Sequence, residues 1–171
     1  MITIREEQPQ DYRAIYDLVK AAFATAEHSD GSEQELVTRL RAGDKYIPEL
    51  ALVATIGEQI VGYIMFTEIA IGSSRSVAPA PLAVNPDYQK SGIGSMLIQQ
   101  GHLIAAKLGY EFSVLVGSEH YYPRFGYLPA SSFGISSPFE LPDANHMAFS
   151  LQSTYTKPNA TVEYAKEFFE N

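Results

Sequence analysis

The segment QKSGIGS, residues 89–95, has the residue types from which a phosphate site is built. It lies between an apolar run ending in Pro86 and a stretch with helical spacing. The first backbone N–H groups of a helix have no intrahelical partner, and the helix dipole adds positive potential there. A turn that aims successive N–H groups inward at such a helix start therefore binds anions. Gly92 and Gly94 would let a phosphate approach with no side chain in its way. Two phosphate motifs do not fit: the dinucleotide fingerprint needs a third glycine where Leu97 stands, and a Walker loop needs Gly-Lys followed by Ser or Thr. A bare GxG pair is more often a plain helix start than a ligand site, so at this point both readings stand.

Other chemistries are excluded more firmly. The 171 residues include no cysteine, which removes a disulfide framework, a thiolate zinc site and an acyl-cysteine intermediate together. His28, His102 and His146 have no metal-ligand spacing and there is no HExxH, so no metal is expected; the lack of GxSxG argues against a serine hydrolase. Twelve Lys and Arg against 20 Asp and Glu give a formal charge of -8, which disfavours nucleic acid and favours cationic partners. The opening MITIREEQPQDY lacks the apolar core of a signal peptide, and no apolar run approaches the ~20 residues that span a bilayer. A soluble cytoplasmic protein, with no membrane contact, is the expectation.

The elements that must position the loop follow from periodicity. Residues 2–7 alternate as a short strand, and Pro9 and Asp11 open a helix marked by Ile15, Leu18, Val19, Ala22 and Phe23. A polar stretch over residues 25–34 precedes a second helix that begins near Ser32 or Glu33. Residues 50–56 and 60–71 read as two strands joined by a tight turn, and residues 77–84 as the next strand of the meander. Pro79 and Pro81 each remove a ladder donor, so that strand should be irregular or partly unpaired. Ile93, Met96, Leu97, Ile104 and Leu108 mark one face of the helix after the loop, with Gly109 as its stop. Residues 112–117 form a buried strand, so that strand, helix and strand make a right-handed parallel unit with the loop at its helix N-terminus. Residues 118–127 read as a short helix or turn and 146–152 as a strand. One domain spans 1–171, with the aromatic tail 153–171, carrying Tyr164, Phe168 and Phe169, docked on it.

LAVNPDYQKSGIGSMLI, with Gln89, Gly92 and Gly94 in the defining places, resembles the signature of the GNAT superfamily of acyl-CoA-dependent N-acetyltransferases. YPRFGY, about thirty residues on, is similar to that family's YxxxGF element with Tyr127 for Phe, and YYPRFGY with the aromatic tail resembles the YhbS-like branch. The resemblance covers residues 1–152. It implies a GNAT-like α/β fold: a mixed, mostly antiparallel sheet with a V-shaped split between two parallel strands and helices on both faces. It implies acetyl-CoA as acyl donor, with the N–H groups of Lys90, Ser91, Gly92, Ile93, Gly94 and Ser95 around the pyrophosphate and Gln89 closing the loop. Leu82, Ala83 and Val84 would offer main-chain groups to the pantetheine arm, and a β-bulge there would offer an N–H to the thioester oxygen.

The implied reaction is direct attack of a primary amine of a small molecule or peptide on the acetyl thioester, in a ternary complex. Tyr122 is the implied general acid for the departing thiolate, because a phenol of pKa ~10 stays protonated at neutral pH. A lysine-like amine of pKa ~10.4 costs on the order of 4 to 5 kcal/mol to deprotonate at pH 7, so a base is expected. Glu68 is the first candidate, with Glu27, Glu33, Glu119 and His120 behind it. Arg124 either reaches a CoA phosphate or caps its turn. A non-catalytic acyl-CoA sensor is the alternative function, and the resemblance also allows a homodimer.

Overall fold

The computed structural model describes residues 1–26 and 29–170. In chain order the elements are β1 (Ile2–Glu6), α1 (Tyr12–Phe23), α2 (Glu33–Arg41), β2 (Tyr46–Ile56), β3 (Gln59–Ile71), β4 (Ser74–Val84), α3 (Ile93–Lys107) and β5 (Phe112–Val116). They continue with β6 (Leu128–Pro129), β7 (Ile135–Ser136), β8 (His146–Ser150) and β9 (Ala160–Glu163). The sheet runs β1-β2-β3-β4-β5-β8-β6, and β9 adds to the far end of β3 while pairing with β7. β7 and β9 pair in parallel; from β1 to β6 along the main path, pairing is antiparallel except between β4 and β5, which meet at a single register point, Val77 with Ser113. Beyond that point the two strands part. This is the mixed, mostly antiparallel, split sheet that the resemblance implies.

Alternation along β2 and β3 explains why both faces are covered. Leu52, Ala54, Ile64 and Phe66 pack with Ile93, Leu97, Ile98 and Ala105 of α3. The intervening Ala51, Val53, Tyr63 and Met65 pack with Ile15, Leu18 and Val19 of α1 and with Val37 and Leu40 of α2. A buried carboxylate ties that second face together. Glu7, just after β1, accepts hydrogen bonds from Arg41 Nε and Nη2 at 2.9 and 2.8 Å, from Tyr46 Oη at 2.6 Å and from Tyr63 Oη at 2.9 Å. Among the described residues no helix is long and apolar enough to cross a membrane.

Two details differ from the periodicity. β2 begins at Tyr46, because the ladder tolerates Pro48 through a register shift between Tyr46 and Ala51. The buried face of α3 is Ile93, Gly94, Leu97, Ile98, Gly101, His102 and Ala105, whereas Met96 and Leu108 are exposed. A glycine and a histidine carry no apolar signal, yet here the helix backbone sits against the sheet: a Cβ built on Gly101 would lie 2.1 Å from the Phe66 ring. Gly62 on β3 makes the matching allowance, since a Cβ there would lie 2.7 Å from Ile93 Cγ2. Gly101→Ala should therefore force α3 off Phe66 and cost about 1–3 kcal/mol of unfolding free energy. Urea denaturation reads this, and an unchanged midpoint would show that the contact is slack.

Candidate active site

The site is organised by a defect in β4. Ile64 pairs with Leu82 but Phe66 pairs with Pro79, so three steps on β4 span two on β3 and the strand bulges at Ala80 and Pro81. The prolines supply no N–H for a ladder, which suits a strand about to lose its neighbour. Past Val77 no β5 residue pairs with β4, so its main chain over residues 78–84 presents an edge towards the opening. Leu82 and Val84 turn their side chains into a cleft of about 680 Å³ beside α3. Ala83 points the other way, into the α1 and α2 core, and only its backbone is available here.

The chain then makes a tight descent into α3. Asn85 Oδ1 accepts from Asp87 N at 2.9 Å, and Ser91 Oγ donates to the Tyr88 carbonyl. Gln89 Nε2 reaches back to Val84 O at 3.4 Å. Lys90 has φ +64° and Gly92 φ +87°, so left-handed residues alternate along the turn, as in backbone anion nests. A left-handed lysine is strained, and such residues cluster where backbone geometry serves a ligand. The first helical hydrogen bond runs from Met96 N to Gly92 O at 3.1 Å, so the amides of Ile93, Gly94 and Ser95 face the cleft end of α3 without an intrahelical partner. No side chain stands within 4 Å of where a Gly92 Cβ would be. The residues present thus fit a diphosphate held by main-chain amides.

The 3-10 turn Tyr122–Phe125 closes the cleft. Tyr121 Oη lies 3.0 Å from the position of a Gly94 Cβ, so this phenol overhangs the helix start, a role the sequence pattern does not mark. Arg124 lines the cleft and also caps its own turn, donating to Tyr121 O at 2.9 Å and His120 O at 3.2 Å. Tyr122 is packed deeper, edge-on to Tyr121 at 4.9 Å and to Tyr127 at 5.9 Å between centroids. Burial, then the neighbouring Tyr121, pushes its phenol up to about 12. Its ring fills the space that a side chain on Gly117 would need.

Behind Tyr122 runs a buried polar chain. His102 Nε2 is 2.8 Å from Tyr127 Oη, which is 2.8 Å from Ser113 Oγ, and Phe149 stacks on the imidazole at 4.5 Å. Ser113 is the residue at which β4 and β5 meet, so this chain pins the apex of the split. Burial lowers His102 to about 4.

The candidate bases are not gathered at the cleft. Glu68 accepts from Arg75 at 3.0 Å and Tyr110 at 2.9 Å, in a separate pocket that includes Leu108. That pocket lies at the C-terminal end of α3, whereas the cradle lies at its N-terminal end, a 15-residue helix away, or roughly 22 Å. Burial opposes ionisation of Glu68, but its bonds from Arg75 and Tyr110 outweigh this and hold the carboxyl below the usual range. Glu33 accepts from Ser29, and Glu119 accepts from Asn145 and pairs with His120 at 3.4 Å. Glu27 lies outside the described residues.

Fold and cleft together define an acyl-transfer scaffold, and the comparisons agree. Residues 48–129 match the family model described as an acetyltransferase (GNAT) domain. The uncharacterized N-acetyltransferase YjhQ of Escherichia coli K12 is 32% identical over 131 residues, covering 74% of this chain and 72% of that protein. The chain belongs to the GNAT acetyltransferases. YhbS of the same strain, likewise an uncharacterized N-acetyltransferase, is 35% identical over 127 residues, 72% of either chain. Its crystal structure with CoA superposes with a TM-score of 0.86 at 27% identity, covering 99% of this chain and 92% of that one. A GNAT acetyltransferase of Brucella melitensis in complex with acetyl-CoA gives a TM-score of 0.82 at 30% identity, covering 98% of each chain.

The buried imidazole has a consequence for stability. Its folded pKa, about 4, lies below the unfolded value near 6.5, so between these pH values the unfolded chain binds the extra proton. Stability should be intact above pH 6.5 and fall as pH drops towards 4, by about 3 kcal/mol from this group. Urea unfolding of the protein and of His102→Gln at pH 7 and pH 4.5 measures it: the variant should lose much of the pH difference.

Proposed function

We propose that this protein moves an acetyl group from acetyl-CoA to a primary amine by direct attack in a ternary complex. The observation that carries this is the run of unpartnered amides at the start of α3, directly below the unpaired edge of β4. Amides over residues 90–95, with the Gln89 side chain bracing the turn, would hold the pyrophosphate as hydrogen-bond donors at the positive end of the helix dipole. The free edge over Leu82, Ala83 and Val84 would pair with the amide groups of the pantetheine arm as an added strand does. An N–H at the bulge would then face the thioester oxygen. The CoA complexes of the relatives support the donor.

We assign Tyr122 as general acid. The amine nitrogen forms a bond to the acetyl carbon, the C–S bond breaks, and the phenol proton goes to sulfur. The proton that the new amide nitrogen sheds restores the phenol through solvent, so the products are the N-acetyl amide and the free CoA thiol. The burial that keeps Tyr122 protonated also makes it a weaker acid, so its proton moves only as charge develops on sulfur. One observation favours the non-catalytic alternative: among the described residues, the cleft lining has neither carboxylate nor imidazole.

Three measurements test this. Acetyl-CoA at a hundredfold excess over Kd should add about 2.7 kcal/mol to stability, and a flat melting curve would remove the donor. Gly94→Glu, which sets a carboxylate at the anion site, should weaken CoA binding at least tenfold in calorimetry. Tyr122→Phe should leave CoA affinity intact and lower kcat about 10²-fold or more, with no alkaline limb below pH 10 in the parent protein. Tight CoA binding with no thiol release across amines of every class would instead identify a sensor.

A further inference from the structure

The split between β4 and β5 opens on both faces of the sheet. The donor cleft lies on the α3 face, where Leu82 and Val84 pack. On the opposite face, where Ala78, Val114 and Tyr164 share a core cluster, a second pocket of about 260 Å³ enters the same split. Its walls include Ala80 of β4 with Val114 and Val116 of β5. Three rings from later in the chain complete it, those of Phe139, Tyr164 and Phe168. Tyr164 stacks on Phe139 at 6.0 Å and meets Phe168 edge-on at 6.0 Å.

Continuity along β4 identifies what enters here. Ala80 sits in the bulge and lines this pocket, while Leu82, two residues on, lines the donor cleft. Two residues of strand measure about 7 Å, so the pocket ends within a short alkyl arm of where the acetyl group must lie. An acceptor approaching from the face away from CoA meets this lining first. Among the described residues the lining is apolar and aromatic, with no carboxylate and no basic group, and its one titratable side chain is Tyr164. The Tyr164 hydroxyl is buried behind its ring without a hydrogen-bond partner, so the face offered to an occupant is the apolar ring. A second ammonium of a polyamine would find no counter-charge in this lining and would lose its hydration. An apolar cavity of about 150 Å³ takes a benzene ring, so this one is large enough for a ring on a short arm. Carboxylates stand outside: beyond Phe168 a separate groove carries Asp30, Glu33 and Glu170 against Arg39.

We propose that the acceptor is a monoamine whose apolar or aromatic body lodges between the split strands and the rings of Phe139, Tyr164 and Phe168, with its amine aimed at the bulge. This rests on the acetyltransferase reading above. The apolar walls disfavour the ammonium form, so the amine sheds its proton to solvent as it enters, in keeping with a cleft whose described lining holds no base. Net charge favours cationic partners in general, whereas the lining of this pocket favours an acceptor with a single amine.

Thiol release from acetyl-CoA separates the possibilities. Phenethylamine, tryptamine and octylamine should give kcat/KM at least tenfold above spermidine and lysine amide, rising about threefold per added methylene from butylamine to hexylamine. Val116→Phe, at a half-exposed wall position, should raise KM for phenethylamine tenfold with CoA affinity and melting temperature unchanged. Phe168→Ala, which lengthens the pocket, should shift the preference from phenethylamine towards octylamine. A preference for spermidine, an unchanged KM in Val116→Phe, or CoA binding with no turnover of any apolar amine would each overturn this inference alone. A protein that does not bind CoA would overturn it together with the acetyltransferase reading.

Discussion

Everything in this site depends on two parallel strands that are allowed to pair only once. A sheet gains from every hydrogen bond in its ladder, and buried backbone groups left unpaired are costly. Here β4 and β5 meet at Val77 and Ser113 and then forgo the rest. Three features sustain the opening. Pro79 and Pro81 have no N–H to offer, and the bulge alters the path of β4. The apex is pinned by hydrogen bonds from Ser113 through Tyr127 to His102, which links β5 to the turn and to α3.

The two sides of the opening are made of different materials. The side proposed for the donor is mostly backbone: amides at the start of α3, the edge of β4 and a turn shaped by left-handed residues. Recognition by main-chain groups fixes geometry and leaves most side chains free. The opposite side is made of side chains, with Ala80, Val114 and Val116 facing three aromatic rings. Changing one ring there changes the shape of the pocket, while the sheet that carries it keeps its hydrogen bonds.

That difference also decides what could be read from the sequence. The amides proposed to hold the diphosphate call for glycines at set positions next to a helix start, and Gln89, Gly92 and Gly94 lie within seven residues of one another. The order of helices and strands from β1 to β5, and β8, was legible for the same reason, since apolar periodicity is local, whereas the two-residue strands β6 and β7 and the tail strand β9 carry no such signal. The face of α3 was misread because Gly101 and His102 are buried for reasons that only Phe66 and Tyr127 reveal. Glu68 is a carboxylate engaged by Arg75 and Tyr110, and nothing in its neighbours along the chain announces those partners. Tyr121 was passed over beside Tyr122, because which phenol overhangs Gly94 depends on how the turn rotates. The pocket of Phe139, Tyr164 and Phe168 joins segments separated by most of the C-terminal half, so no motif could carry it.

The pairing of β9 with the end of β3 orders these parts in time. Ala70 and Ile71 bind Glu163 and Val162, and it is this late strand that brings Tyr164 and Phe168 back to the split. A ribosome releases the cradle and the free edge of β4 some seventy residues before Phe168. The walls proposed for the acceptor thus rest on a strand pairing made across some ninety residues of chain.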